Sequence, residues 1–210
     1  MRFLTLLASL LAGAMALLAC GVASAGGGPL GIDHKVPLDE SGIWSRNTQN
    51  AALGLTVTAV VVAAFWEGGE TRLGKTSWQS VDSLLITAVA TTAGKAIFTR
   101  SRPSQTDDPD KWFQGKGHYS FPSGEVGAMS AAVTPYILEY QHDHPWIWAL
   151  ELLPAYDAAA RIKSQAHWQT DVLAGWAIGG VVGYYAHTVN SPWSLGLMPH
   201  GVQVGFRTRW

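Results

Sequence analysis

Three features of the sequence predict an all-α fold: a single bundle of five to six core helices, with room for a small C-terminal β-hairpin. Five stretches of helical length, 51–66, 80–98, 124–140, 145–162 and 171–186, are apolar or amphipathic and are separated by polar or Gly/Pro-bearing junctions. Strict alternation of apolar and polar residues is confined to the extreme C-terminus, where Val202, Val204, Phe206, Thr208 and Trp210 interleave with Gln203, Gly205, Arg207 and Arg209. With 210 residues and 48% hydrophobic content, the chain can fill one substantial core and hardly two.

The chain opens with Arg2, an apolar run over 3–18 and the small-residue trio Ala23-Ser24-Ala25, the pattern of an export signal over 1–25. The run is shorter than the ~20 residues a membrane span requires, so an uncleaved anchor fits less well. Leu17-Leu18-Ala19-Cys20 also matches a bacterial lipobox, in which case 1–19 is removed and Cys20 becomes the lipidated first residue. Both routes place the protein outside the cytoplasm, in the periplasm of a double-membraned cell. Cys20 is the only cysteine, so the exported chain holds no disulfide and its stability must come from packing.

Residues 26–39, rich in Gly and Pro, read as a linker or a surface arm without chemistry, followed by a helical domain over 40–190 and a tail or hairpin over 191–210. Asp143 is placed to cap a helix entered through Pro145, while Pro135 and Pro154 are expected to bend or divide their segments. Glu67-Gly68-Gly69-Glu70 ends one helix, and 104–120, polar and without period, reads as a long exposed loop. His200-Gly201 can turn the terminal hairpin. The helices approach but do not reach spanning length, which favours buried helices of a water-soluble bundle; an integral bundle with short or tilted helices is the alternative. Ten tryptophans suit either core packing or a membrane interface. Lys plus Arg total 14 against 15 for Asp plus Glu, so no basic field exists to attract nucleic acid. The sequence leaves oligomeric state open.

Three clusters carry chemistry. Lys95 and Arg102 are seven apart, a spacing that returns two cations to one helical face. In Phe121-Pro122-Ser123-Gly124-Glu125 a proline opens a helix, and Ser123 and Gly124 leave N–H groups accessible at its positive end, an anion pocket. Arg161, His167 and Asp171 form the third cluster, and the last two can touch if helical, so that a carboxylate grips one imidazole nitrogen and leaves the other free to attack. Each cluster has an ordinary reading by itself. Basic residues favour helix C-termini, and Arg100 fits a region that is simply basic; Pro and Ser favour helix starts; a His–Asp pair is common on surfaces.

Together, in order and internal spacing, the clusters resemble the three-part signature of the type 2 phosphatidic acid phosphatase superfamily, which also contains bacterial acid phosphatases and vanadium haloperoxidases. The resemblance runs from Lys95 to Gly175 and is closest from His167 through Asp171 to Gly175. It implies a metal-independent phosphatase, needing no cofactor, that acts on phosphate monoesters or diphosphates. The apolar, Trp-rich exported chain points to a lipid-linked substrate at a membrane surface. It further implies that His167 attacks phosphorus to give a phosphohistidine, that Asp171 steadies the imidazole, and that Lys95, Arg102 and Arg161 hold the equatorial oxygens with Ser123 and the Gly124 amide.

Two positions depart from the pattern. Ala160 replaces the serine before the arginine of the third motif, and Glu125 stands where the family has the histidine that protonates the leaving group. Glu125 can serve as a general acid if protonated or activate water if ionised, and a substrate with a good leaving group would need neither; a nearby phosphate raises its pKa and three cations lower it. The rival readings are a non-catalytic phosphate or lipid-headgroup binding protein and, further off, a vanadium haloperoxidase.

Overall fold

Side-chain caps and glycines set the helix ends. The computed structural model describes residues 26–189 and the backbone of 193–198 and 201–206; the export segment, Cys20, His200 and the last four residues lie outside the described residues. The Ser45 hydroxyl accepts from the Thr48 N–H to start α1 (Arg46–Glu67), which stops at Gly68 in a positive-φ conformation. Thr71 accepts from the Gly74 N–H to start α2 (Arg72–Phe98), which ends where Thr99 turns left-handed. α3 (Gly124–Tyr140), α4 (Leu152–Lys163) and α5 (Gln169–Thr188) complete the bundle, with short 3₁₀ turns at Gly42–Trp44 and Pro145–Glu151. The chain closes on an antiparallel hairpin of β1 (Trp193–Met198) and β2 (Gly201–Phe206), with Met198 opposite Gly201 and Trp193 opposite Phe206. The all-α fold follows the sequence expectation.

Several local expectations need correction. Pro135 lies inside α3 without dividing it. The 145–162 segment, by contrast, is divided as expected, its 3₁₀ turn ending at Glu151 and α4 starting two residues before Pro154, which sits in the first turn where a missing N–H costs nothing. Asp143 caps no helix; the residue before Pro145 is His144, and Asp143 pairs with Arg72. The segment read as a surface arm is exposed over much of its length, yet its Asp33 is fully buried against the N-terminus of α5. Arg102 does not share a helical face with Lys95, because α2 ends at Phe98 and Arg102 belongs to the following loop.

α3 and α5 form the central pair, and glycine sets their separation. A β-carbon on Gly179 would lie 2.2 Å from the Gly127 carbonyl oxygen, and one on Gly175 would lie 2.2 Å from that of Ser123. α2 packs against both through a polar stripe: Thr76, Ser77, Ser80, Ser83, Thr87 and Thr91 are all buried. Its apolar residues Leu85, Ile86, Val89 and Ile97 face outward instead.

The expectation of buried helices below spanning length is therefore overturned for α1 and α2. Both are long and apolar enough to cross a membrane by length and composition, at 22 and 27 residues, and only 17% of each apolar window is buried. Leu55 and Val89 are each 71% exposed. The expected segments were too short because the first turns of both helices carry Arg, Lys, Gln and Ser, which masked their helical continuation.

The closeness of α3 and α5 makes a direct prediction. Gly179→Ala should destabilise the fold by at least the ~1–3 kcal/mol typical of overpacking, because the obstacle is backbone; thermal unfolding in the same detergent or buffer checks it, and an unchanged midpoint would show that the two helices can part without cost.

Candidate active site

The turn joining α4 to α5 carries His167. The main-chain N–H groups of Ala166 and His167 both donate to the Arg161 carbonyl, at 3.0 and 3.3 Å, so the imidazole and the Arg161 guanidinium are fixed by one piece of backbone. The imidazole is buried, and its Nδ1 lies 2.7 Å from the Ser120 carbonyl oxygen. A carbonyl can only accept, so Nδ1 carries the proton and Nε2 keeps a free lone pair. Burial pushes the His167 pKa down to about 4, and Lys95 and Arg161 add to the shift against the pull of Asp171.

Asp171 does not grip the imidazole as expected. His167 precedes α5, so the pair is not on a continuous helix, and Asp171 Oδ2 stands 3.8 Å from Nδ1, an electrostatic neighbour beyond hydrogen-bond range. Its oxygens are engaged elsewhere: Oδ2 accepts from the Ser120 hydroxyl and from the Trp168 N–H at 2.9 Å, and Oδ1 accepts from Arg100 Nη1 at 2.6 Å. Burial alone would raise this carboxyl, but His167, Arg100 and Ser120 hold it below the ordinary carboxylate range. Asp171 thus orients the imidazole through Ser120, whose hydroxyl it binds and whose carbonyl holds Nδ1.

Arg100 anchors the assembly. Fully buried, it pairs with Asp171 through Nη1 and with Asp33 through Nη2, both at 2.6 Å, and donates also to Thr170 and to the Pro109 carbonyl. Its guanidinium carbon lies 4.3 Å from the centre of the Trp112 ring. Asp33 in turn accepts from the Thr170 N–H at 2.7 Å, which caps α5.

The predicted phosphate ligands surround this core. Lys95 Nζ donates to the carbonyls of Tyr119 and Pro122 at 2.9 and 2.7 Å, which ties α2 to the start of α3. Lys95 lies within electrostatic reach of Arg102, Arg161, Glu125 and Asp171, Arg102 within reach of Glu125 and Asp171, and Arg161 within reach of Glu125 and Arg102. Ser123 starts α3; its N–H donates to the Asp171 carbonyl at 2.9 Å, while its hydroxyl, fully buried, has no hydrogen-bond partner among the described residues. Gly124 opens α3 beside Lys95 and Thr91. The eight residues singled out in the sequence are therefore gathered in one region. Buried Arg161, half-buried Lys95 and Arg102, the unpartnered Ser123 hydroxyl and the N-terminus of α3 are the kinds of group that attract an anion.

Glu125 is held by Arg46 of α1 in a two-point ion pair, Nη1 to Oε2 at 2.6 Å and Nη2 to Oε1 at 2.7 Å, with Arg161 Nη1 at 3.7 Å from Oε2. Burial alone would raise its pKa, but the Arg46 hydrogen bonds and the charges of Arg161 and Arg46 keep it below the ordinary value. It is ionised at neutral pH. Gln49, also on α1, accepts from both Arg161 Nη1 at 3.0 Å and Arg46 Nη1 at 3.3 Å.

Sequence reading missed Arg100, Ser120, Asp33, Arg46 and Gln49. Arg46 carried one signal, as the last cation before a long uncharged stretch; Arg100 was absorbed into its basic surroundings, and nothing marked Ser120 or Asp33.

This geometry defines a helical bundle with a buried histidine beside a cluster of basic side chains. A family model described as the PAP2 superfamily matches residues 77–194, and the chain belongs to that family. Over 99 residues it is 32% identical to a lipid A 1-phosphatase of Porphyromonas gingivalis, covering 47% of this chain and 20% of that protein. Over 113 residues it is 26% identical to an undecaprenyl-diphosphatase of Sulfolobus acidocaldarius, covering 53% of each. The chain thus spans about a fifth and about half of the lengths of these relatives. No solved structure matches it.

Replacing Arg100 tests the anchor. Arg100→Met strands two buried carboxylates and should cost about 3–5 kcal/mol of stability; denaturant unfolding measures it, and a loss below ~1 kcal/mol would show that Asp33 and Asp171 do not depend on the guanidinium.

Proposed function

We propose that this protein is an exported, membrane-associated phosphohydrolase that removes phosphate from lipid-linked monoesters or diphosphates through a phosphohistidine on His167, without a metal ion. The observation that carries the reading is the buried, neutral His167, fixed through Nδ1 with Nε2 unprotonated, within electrostatic reach of Lys95 and Arg161. Nε2 attacks phosphorus in line with the leaving oxygen. Lys95, Arg102 and Arg161 stabilise the charge on the equatorial oxygens, with the Ser123 hydroxyl and the N-terminus of α3. Asp171, ionised through Arg100, supports the positive charge that the imidazole gains on attack. Water then displaces the histidine.

A lipid substrate is supported by two observations. The relatives named above act on lipid A and undecaprenyl diphosphate by their names, and α1 and α2 turn apolar residues outward, α2 while burying a stripe of hydroxyls. A helix with its polar stripe inside and its apolar face outside is at its lowest free energy against acyl chains. The N-terminal export pattern, with Cys20 as a lipidation site, agrees with such a location.

His167→Ala should lower phosphate release from a lipid phosphate by more than ~10³-fold, and base-quenched wild-type enzyme should carry phosphate on the peptide containing His167. Substrate binding with neither turnover nor trapped phosphate would favour the headgroup-binding reading. Because a nucleophile must be unprotonated, the acid limb of kcat/KM should fall as pH drops through about 4 rather than through the ordinary histidine value of about 6.5. An acid limb near the ordinary value would show that His167 is not held neutral by its surroundings.

A further inference from the structure

Arg46 is the first residue of α1, and it reaches Glu125 in the first turn of α3. A cation in the first turn of a helix opposes the helix dipole, so α1 gains nothing from an arginine there. A half-exposed ion pair adds little to stability either. Yet the guanidinium is firmly held: its two Nη atoms bind the Glu125 carboxylate at 2.6 and 2.7 Å, and Nη1 also donates to Gln49 Oε1 at 3.3 Å. Gln49 Oε1 accepts from Arg161 Nη1 as well, at 3.0 Å, and that nitrogen lies 3.7 Å from Glu125 Oε2. Two guanidinium groups, one from α1 and one from α4, thus converge on the same two side chains. The charge of Arg46 acts on Arg102 too. Three of its five N–H groups are used in these bonds; the Nε–H and the second Nη2–H, which form one edge of the fork, have no acceptor among the described residues.

Depth orders these groups: the His167 side chain is 3% exposed, Arg161 7%, Glu125 22% and Arg46 46%. A nucleophile at the bottom of the site attacks from below, and in-line displacement sends the leaving oxygen to the opposite side, toward the opening. Glu125 and Arg46 stand on that side. Both Glu125 oxygens are occupied by Arg46, so the carboxylate has no proton to give, and what the pair offers a leaving group is the charge of the guanidinium. Resting on the hydrolase reading above, we propose that Arg46 is a further catalytic residue that holds the departing group, that Glu125 is the positioning residue that aims it, and that the site takes lipid-linked diphosphates in preference to monophosphates. The open Nε–Nη2 edge matches two oxygens of a phosphate. Nε2 attacks the terminal phosphorus, the bridging O–P bond breaks with its electron pair on oxygen, and the lipid monophosphate leaves as an anion against Arg46 with no proton transferred. Water then adds to phosphorus, the P–N bond breaks with its pair returning to Nε2, and both water protons leave on dihydrogen phosphate. An alkyl monophosphate has to expel an alkoxide instead, with no acid beside it. Arg46 and Gln49 precede the region that the family model matches, 77–194, so the device belongs to this chain's own α1.

Farnesyl diphosphate and farnesyl phosphate carry the same lipid and differ by one phosphate. With the full chain, kcat/KM for phosphate release should be at least about tenfold higher on the diphosphate, and farnesyl phosphate should accumulate as its product. Arg46→Gln should lower that ratio by about tenfold or more, and Arg46→Lys, which keeps the charge without the fork, by less. Glu125→Ala, which leaves Arg46 charged but unaimed, should lower the ratio as well. A purely structural loss depresses both substrates alike and leaves the ratio where it was. A wild-type ratio near or below one, or equal losses on both substrates in folded Arg46→Gln, would overturn the proposal, and the wild-type ratio decides even where the variants fail to fold. If the wild type releases phosphate from neither lipid, the hydrolase reading fails, and calorimetry decides the Arg46 contact by itself. Methylenediphosphonate should then bind at least about tenfold more tightly than methylphosphonate, a difference that Arg46→Gln removes; equal affinities in the wild type would overturn the contact.

Discussion

The buried guanidinium of Arg100, clasped between Asp33 and Asp171, is the contact on which the rest of the site depends. It joins three separate pieces of chain: the N-terminal segment, the loop after α2 and the first turn of α5. Two carboxylates and one guanidinium out of water would be strongly unfavourable singly, so each makes the burial of the others possible. Their closure sets the α5 N-terminus, since Asp33 caps it at Thr170 and Asp171 closes on the Trp168 N–H. Because Asp171 also binds the Ser120 hydroxyl, while the Ser120 carbonyl holds His167 Nδ1, the ion cluster fixes an imidazole it does not touch.

Around that core the charges are graded by depth. Arg100 is neutralised by carboxylates and serves structure, whereas Lys95, held by main-chain carbonyls, keeps its positive charge for the pocket. Arg161 is steadied by Gln49 and Glu125. Glu125 reduces the net positive charge where the family has a histidine, and Arg46 compensates from α1. The same helix pair that supplies Arg46 and Lys95 turns apolar residues outward, so in the proposed reading one pair of elements serves both the anion pocket and the surface through which a lipid approaches.

Much of this was legible in the sequence, and the exceptions have physical causes. Helices of bundle length announce themselves by composition, and α3 was predicted to the residue because Pro122 and Ser123 mark its start. The eight motif residues, singled out by their order and spacing, are brought into one region of the fold. Which face of α2 turns inward was not legible, since periodicity reports two faces but not the medium outside them. Arg100 and Arg102 look alike in sequence, yet burial makes one a structural anchor and leaves the other beside the pocket. Asp33 and Ser120 were invisible because their partners lie 67 and 51 residues away in the chain.

The account stands on the state of one imidazole, and nitrogen-15 NMR of His167 in selectively labelled protein reads that state directly. The predicted spectrum at neutral pH shows a neutral ring with the proton on Nδ1 and an unprotonated Nε2, unchanged until acidity approaches pH 4. A proton on Nε2, or a ring that titrates as histidine does in water, would contradict it.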